Sequence, residues 1–400
     1  TPYFVPAQAL GGGGRPGAND RIYVGVVGVG NRSKMLMDQL PGEGQIVAIC
    51  DCNRPRSEAA VQQSGADWKI YDRHQDMFEK ENLDAVIVGT PDHGRVLPCI
   101  HACQAGLDIY AEKPLTVTIR EGRRLVDAVR HYGRILQVGS QQRTMEMNRF
   151  ACELVRNGGI GKLKRVQGIC YPGPSDYQGL PEQPIPPGND WDTWLGPTEL
   201  RPYHKDLQYG WMKWRAYAAW DITNRVAHRV AQIQWALGKS QTGPTEIWPV
   251  TPGTNGKVSM RYADGIQVDY ELTPGPMGGG IFTGEKAKTE INRNKFVTNP
   301  PDFVDNPPEP AEADKWEGPG WIAKPHMQNW LDCMRSRELP NADVEIGHRS
   351  ITVCHLANIA RQIGRPLRWD PDQEIFPDDD EANEYLDRPR RSGWELPEVG

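Results

Sequence analysis

The chain has 400 residues, with 46 Lys and Arg against 52 Asp and Glu, giving a net charge of −6 at neutral pH. This length favours two domains, and the negative charge argues against nucleic acid as a partner. No apolar run is long enough to span a bilayer, so we expect a soluble protein without a membrane partner.

Residues 1–20 are rich in Gly and Pro and show no periodic pattern, which predicts an N-terminal arm. The segment begins at Thr1 without Met and resembles what remains after a targeting peptide has been removed. We therefore expect a periplasmic or otherwise exported protein, with a cytoplasmic location left open.

Residues 21–143 alternate between short apolar runs and helical patterns, including a helix over 54–64. The first run, IYVGVVGVG, is rich in Val and ends in glycines, and the next apolar run ends at Asp51. Strands and helices that alternate at this spacing predict an α/β fold with a Rossmann doubly wound parallel sheet.

Gly28, Gly30 and Ser33 lie between the first strand and the first helix, at the spacing of a dinucleotide-binding turn. Asp51 ends the second strand, where a carboxylate would accept hydrogen bonds from the adenine ribose. This combination predicts NAD as the cofactor. NADP stays open because Arg32 or Arg54 could reach a ribose phosphate.

Residues 144–370 have a different pattern, with a long Pro- and Trp-rich loop and alternating strands such as GKVSMRYA. They predict an α+β domain on a mostly antiparallel open sheet. Helices are expected near 221–237, at 324–337 and at 347–363, and residues 371–400 form a C-terminal tail.

The run VIVGTPDHGRVLPCIHACQAGLDIYAEKPLTVT, together with VGSQQR and GHRSITVCHLANIARQIGRPLRWDP, resembles the Gfo/Idh/MocA oxidoreductases. It is most similar to a large-loop branch whose members are often exported by twin-arginine signals. The resemblance implies an NAD(P)-dependent oxidoreductase that transfers hydride at a carbinol carbon of a sugar or glycoside. It also implies cofactor contacts from Gly28, Gly30, Asn31, Arg32, Asp51, Thr90, Pro91, His93, Glu112, Lys113 and Gln141.

The same resemblance assigns catalysis to Lys113, which would bind the reacting hydroxyl, and to a helix carrying an acid four residues before a histidine. His228 matches that histidine, but Asn224 stands where the acid is expected. An amide can orient a hydroxyl but cannot hold negative charge.

Further departures fall at Ala219, Trp220, Ala231 and Arg95, where the family usually has two glycines, an acid and a histidine. Either the chemistry differs from the usual hydride transfer, or another residue supplies the missing acid-base function. The candidates for that function are Asp221, Tyr217 and His93.

Aromatic and basic residues gather before this helix, and they are Trp211, Lys213, Trp214, Arg215, Tyr217 and Trp220. Such a cluster suits a carbohydrate subsite or packing between domains, and the two hypotheses are equally open. His326, His348 and His355 lack metal-ligand spacing, so we expect no metal.

Two alternatives to a dehydrogenase remain. One is a glycosidase that oxidises its sugar transiently on bound NAD, eliminates the aglycone and then reduces the product. The other is a non-catalytic sugar- or nucleotide-binding relative, because the usual acid is missing. In this family the open sheet usually buries one face between subunits, so the resemblance also implies a homo-oligomer, a dimer or tetramer.

Overall fold

The computed structural model describes residues 21–276, 278–293, 295–305 and 323–399. The predicted arm at 1–20 lies outside them. No helix in the described ranges is long and apolar enough to cross a membrane.

The first part of the chain forms a parallel sheet, in the order β3-β2-β1-β4-β5-β6. Its strands are β1 (Ile22–Val27), β2 (Gly44–Cys50), β3 (Lys69–Tyr71), β4 (Ala85–Val88), β5 (Asp108–Ala111) and β6 (Leu136–Val138). The helices between them are α1 (Asn31–Asp38), α2 (Arg54–Ser64), α3 (His74–Lys80), α4 (Val96–Gln104) and α5 (Ile119–His131). This order confirms the predicted Rossmann sheet, since the strand order reverses beside β1.

The second part forms a mixed sheet in the order β13-β12-β11-β7-β10-β9-β8-β14. Its strands are β7 (Leu163–Ile169), β8 (Glu246–Pro249), β9 (Val258–Arg261), β10 (Gln267–Leu272), β11 (Ile281–Gly284), β12 (Lys288–Asn292), β13 (Lys295–Asn299) and β14 (Leu367–Arg368). Strands β7 and β10 pair in parallel, whereas the other pairs recorded in this sheet are antiparallel. The predicted, mostly antiparallel second sheet is therefore confirmed.

The helices of the second part are α6 (Glu146–Arg156), α7 (Trp191–Leu195), α8 (Lys205–Tyr209), α9 (Asp221–Asn224), α10 (Val226–Ala236), α11 (Lys324–Ser336), α12 (Val344–Ile363) and α13 (Asp380–Asn383). Buried residues of α6, α10 and α12 share one hydrophobic core with the buried faces of both sheets. That shared core fixes the second sheet against the first.

Helix α11 packs on the first sheet, although the sequence placed it with the second part. Its buried Met327, Trp330 and Leu331 belong to the same cluster as Val24 of β1. The ring of Trp330 lies 5.7 Å from that of Tyr110 on β5. The predicted boundary between residues 143 and 144 therefore separates the two sheets but not all the elements that pack on them.

The helix predicted near 221–237 is divided in the structure. Helix α9 ends at Asn224, and Arg225, with φ −96° and ψ −34°, separates it from α10. Trp220 precedes α9 with φ +60°, a left-handed conformation that favours glycine. Trp220 thus occupies a backbone shape suited to glycine, the residue that the resemblance implies at this position.

Candidate active site

The glycine turn lies between β1 and α1. Gly28 has φ +82°, and an added Cβ would lie 2.9 Å from the backbone nitrogen of Thr90, so this position requires glycine for the fold. Gly30 differs, because its φ of −76° suits any residue and an added Cβ would meet no protein atom within 4 Å. Gly30 therefore borders open space.

That space is a cavity of about 660 Å³ at the carboxyl ends of the parallel strands. It is lined by the turn residues Gly28, Gly30, Asn31 and Arg32, by Asp51, Thr90 and Pro91, and by Glu112, Lys113 and Asn224. We call it the catalytic cavity. It brings most of the predicted cofactor residues together with two of the three predicted catalytic residues.

Asp51 is fixed at the end of β2 by the backbone around it. Its Oδ2 accepts a hydrogen bond from the Val29 amide at 2.7 Å, and its Oδ1 accepts one from the Asn53 amide at 2.8 Å. The guanidinium of Arg56 lies 3.4 Å from Oδ2. Asp51 therefore orders the glycine turn as well as facing the cavity.

The two arginines that could have bound the ribose phosphate of NADP form ion pairs with carboxylates of the protein instead. Arg32 pairs with Glu112 at 2.8 Å, and the half-exposed Arg54 pairs with Glu58 and Asp72. The basic residue beside Asp51 is Arg56, which the sequence analysis did not single out.

Lys113 is held by Asn224. Its ammonium donates to the Asn224 side-chain oxygen at 2.8 Å and to the Asn224 backbone carbonyl at 2.7 Å. The backbone carbonyl is available because α9 ends at this residue. Burial lowers the pKa of Lys113 to about 8, although the charges of Glu112 and Asp92 act in the opposite direction.

Asp92 is a carboxylate of this cavity that the sequence analysis passed over. It is 3% exposed and pairs with Arg95 at 3.2 Å. Burial raises its pKa to about 6, with Arg95 and Lys113 acting to lower it. The sequence feature that could have revealed Asp92 is its place in the TPDH turn, between the predicted cofactor contacts Pro91 and His93.

Arg95 stands where a family histidine is usual. Besides Asp92, its guanidinium donates to the backbone carbonyls of Pro114 and Thr90. Arg95 therefore ties the TPDH turn to the segment that carries Lys113.

His228 lies near the start of α10 and is 4% exposed. Burial lowers its pKa well below the usual value, and the positive charge of Lys113 adds to this effect. The imidazole is therefore neutral near pH 7. It stands beside the catalytic cavity rather than among the residues that line it.

The three residues proposed to replace the missing acid each have contacts of their own. The Nε2 of His93 donates a hydrogen bond to the Trp194 carbonyl at 2.8 Å, and burial lowers the pKa of His93 to about 3. Tyr217 is fully buried, and Asp221 pairs with Arg225 at 3.2 Å. None of the three is among the residues that line the catalytic cavity, so the structure does not favour these assignments.

Gln141 also lies outside the cavity lining. It is 2% exposed, and its side-chain amide is 3.5 Å from the Tyr110 hydroxyl. Its contact with the cofactor stays a prediction, and its side-chain amide faces Arg32, which lines the cavity.

The aromatic cluster divides between the two hypotheses. Trp214 and Tyr217 belong to a buried core with Trp191 and Trp194, as packing between segments would require. Trp211 is partly buried and lines the catalytic cavity together with Met212. Of this cluster, Trp211 is thus the residue placed to contact a ligand near Lys113.

Two family models match the chain. Residues 22–140 match the model described as "Oxidoreductase family, NAD-binding Rossmann fold" and residues 174–396 match "Oxidoreductase family, C-terminal alpha/beta domain". Both describe Gfo/Idh/MocA proteins. The chain belongs to this family.

Curated relatives of this Gfo/Idh/MocA protein include an inositol 2-dehydrogenase of Rubrobacter xylanophilus, which is 28% identical over 88% of this chain and 94% of its own length. A scyllo-inositol 2-dehydrogenase (NAD(+)) of Bacillus subtilis is 30% identical over 40% of this chain. The match covers 46% of the length of the Bacillus subtilis protein. The chain likewise spans about half the length of several other relatives.

Solved structures confirm the fold. The WlbA dehydrogenase from Bordetella pertussis, in complex with NADH and UDP-GlcNAcA, has a TM-score of 0.64 and is 19% identical, over 89% of this chain and 99% of that one. A myo-inositol 2-dehydrogenase from Lactobacillus plantarum has a TM-score of 0.58 at 17% identity, over 87% of this chain and 99% of that one.

The residues present in the Gfo/Idh/MocA chain fit the cofactor that the family model implies. Gly30 leaves open the space that a Cβ would fill, at the start of α1, which carries no acidic residue in its first turn. Such a helix start binds pyrophosphate through its amides. NAD is therefore the cofactor of this Rossmann unit, as the sequence predicted. Within the described ranges, no group of three or more His, Cys, Asp or Glu could hold a metal ion.

Proposed function

We propose that this chain is an NAD-dependent oxidoreductase that acts at a carbinol carbon of a sugar, cyclic polyol or glycoside. The observation that carries the proposal is the Lys113 ammonium, held by Asn224 at 2.8 Å in the cavity that the glycine turn also lines. The relatives named inositol 2-dehydrogenases support a polyhydroxylated substrate class.

Bound NAD supplies the hydride acceptor or donor of this chemistry. Lys113 handles the proton, because a lysine with a pKa of about 8 exchanges a proton with a hydroxyl near neutral pH. Asn224 fixes the ammonium by accepting hydrogen bonds from two of its three N–H groups. The third N–H group is left to contact a ligand.

His228 contributes a neutral imidazole beside this centre, because its pKa is held low. It orients a hydroxyl or a water molecule as hydrogen-bond partner rather than as a cation. Trp211 and Met212 supply an apolar wall on which the C–H face of a sugar or cyclitol ring can pack.

The test is to incubate the protein with NAD and a panel of inositols, aldoses, nucleotide sugars and glycosides, while following the absorbance of NADH. We expect NADH from at least one polyol or sugar. Lys113→Met should reduce the rate at least about 100-fold, a loss typical of a removed proton-transfer group. Lys80→Met, an exposed lysine on α3, is the matched control and should keep the full rate.

No NADH from any compound would overturn the dehydrogenase proposal. Release of aglycone without net NADH would instead support the transient-oxidation glycosidase. Cofactor binding without any turnover would support a non-catalytic binding protein. The expected export of the chain also stays a proposal, which fractionation of cells would test.

A further inference from the structure

A second cavity, of about 390 Å³, also borders the glycine turn at Gly28. It adjoins the catalytic cavity, because the two share the lining residues Gly28, Asp51, Arg56, Thr90, Pro91 and Trp194. Since Lys113 lies only in the catalytic cavity, the second one receives the opposite end of a dinucleotide, its adenosine. We call it the adenosine cavity.

Besides the segments 72–75 and 90–98, three distant parts of the chain build the walls of the adenosine cavity. The ends of β1 and β2 contribute Val27 and Cys50, and the segment around α7 contributes Asp192 and Trp194. The third part is the C-terminal tail, which contributes Gly393 and Trp394. A generic Rossmann unit has no counterpart of the last two walls, because both come from outside the first sheet.

Arg391 holds the tail against the α7 segment. Its guanidinium pairs with the Asp192 carboxylate at 2.6 Å and donates to the Gly196 carbonyl at 2.9 Å, while its backbone amide donates to the Pro197 carbonyl at 3.1 Å. It also lies 5.7 Å from the ring centre of Trp394. One residue therefore fixes both the path of the tail and the place of the tryptophan.

Further contacts hold the tail both before Arg391 and after Trp394. Arg388 donates to the His93 carbonyl at 3.0 Å and pairs with the buried Glu121 at 2.7 Å. Beyond Trp394, Glu398 pairs with Arg124 of α5 at 2.8 Å. The tail thus crosses from the TPDH turn to α5 as a segment held at several points.

Trp394 differs from its neighbours in the tail. Leu396 and Val399 pack against the main hydrophobic core, whereas Trp394 is only partly buried and belongs to none of the core clusters of the described residues. Its indole instead lines the adenosine cavity, as does part of Trp194, whose ring also stacks on Trp191 in the buried core. A large aromatic side chain placed outside a core and on a cavity is suited to a flat ligand ring.

We propose that the tail from Arg388 to Glu398 is a strap that closes the adenosine cavity, with Trp394 and Trp194 as the walls for the adenine ring. The cofactor then leaves only when the strap detaches. This inference rests on the cofactor part of the proposed function and is independent of the sugar substrate.

The acidic lining of the same cavity favours NAD over NADP. Asp51, Asp72, Asp190 and Asp192 line it, against Arg56 and Arg73. A ribose 2′-phosphate beside Asp51 would have to share Arg56 with this carboxylate, and like charges repel. The strap therefore closes over an uncharged ribose hydroxyl.

The experiment measures the release of NADH from the full chain, by its fluorescence after mixing with excess NAD. We expect Trp394→Ala and Arg391→Ala to release NADH about ten-fold faster than the unmodified protein, a loss typical of one aromatic stacking partner for a base. Tyr385→Ala is the matched control, because this exposed aromatic of the same C-terminal region does not line the adenosine cavity.

A second measurement needs no substitution. Bound NADH should slow tryptic cleavage after Arg390 and Arg391 about ten-fold, because it holds the strap closed. Release rates within about two-fold of the unmodified protein, or cleavage that NADH does not slow, would overturn the strap. A chain that binds no NADH would overturn the cofactor proposal as well, whereas absence of sugar turnover would leave the strap supported by these readouts.

Discussion

Lys113 unites the two properties that the proposed reaction needs, a fixed position and a proton that is exchanged near neutral pH. Its partner Asn224 carries no charge, so this contact adds no ion pair that would raise the pKa of the lysine. Burial therefore dominates and lowers the pKa to about 8. A larger fraction of Lys113 is therefore the neutral amine near neutral pH, and only this form can accept a proton.

Alcohol oxidation should accordingly depend on the deprotonation of Lys113. The rate constant kcat/KM should rise with pH and level off above about 8, because the neutral amine accepts the hydroxyl proton. The pH profile with the first substrate found checks this. Lys113→Arg should lose the rise, because a guanidinium keeps its proton throughout. A profile that falls between neutral pH and 8 would contradict the assignment.

Asp92 is the carboxylate whose charge acts on Lys113 from the TPDH turn. Asp92→Asn removes a negative charge that raises the pKa of the lysine, so the rise of kcat/KM should move to lower pH. The groups that face the lysine from other elements, Glu112 and Arg95, stay in place. Asp127→Asn, on the exposed face of α5, should leave the profile unchanged. A shift to higher pH would refute this role.

Helices α5 and α12 are joined through Arg123, which pairs with Glu345 at 2.9 Å and with Glu374 at 2.8 Å. Gly122 permits this approach, because an added Cβ would lie 2.2 Å from the His348 ring. Burial acts to raise the pKa of Glu374, but hydrogen bonds from His348 and Arg123 lower it to about 2. These contacts connect the two sheets across the interior.

Glu374→Gln should lower the free energy of unfolding by roughly 2–3 kcal/mol at about pH 7. A carboxylate with a lowered pKa stabilises the fold above its unfolded pKa of 4.5, and this contribution is lost as pH falls toward 2. Urea unfolding at about pH 7 and at about pH 3 should therefore show a smaller difference at the lower pH. Exposed Glu338→Gln is the control. Equal differences at both values would disprove the linkage.

Elements with strong apolar patterns were predictable from the sequence, and shorter ones were not. Strand β3 has three residues that are partly buried or exposed, and the polar α3 begins without a side-chain cap. Neither has a pattern that stands out from a loop. The break at Arg225 was also missed, because the residues around it are compatible with a continuous helix.

The candidate site was predictable where it depends on local sequence. The glycine turn, Lys113 and Asn224 meet as expected, since the carboxyl ends of parallel strands share one edge. His93 lines the adenosine cavity, in keeping with the predicted cofactor contact, whereas the burial of Tyr217 in an aromatic core could not be derived, because distant segments build that core. The adenosine cavity could not be predicted either, because Trp394 lines it together with residues that are distant in sequence.

The homo-oligomer remains a prediction at the scale of the whole molecule. On the face of the second sheet away from its helices, charged side chains form ion pairs, such as the pair of Arg165 and Glu271. We expect light scattering to give twice or four times the chain mass of 44.9 kDa. A mass of one chain would exclude this assembly.

The proposed function and the proposed strap both require that NAD occupies the two adjoining cavities. Gly30 gives the most direct test of this placement. Gly30→Val should fold with an unchanged thermal midpoint, because its backbone shape suits any residue and no protein atom lies within 4 Å of an added Cβ. The added side chain would occupy the pyrophosphate position, so titration with NADH should show binding weakened at least about 100-fold. Binding as tight as in the unmodified protein would contradict the placement of the cofactor.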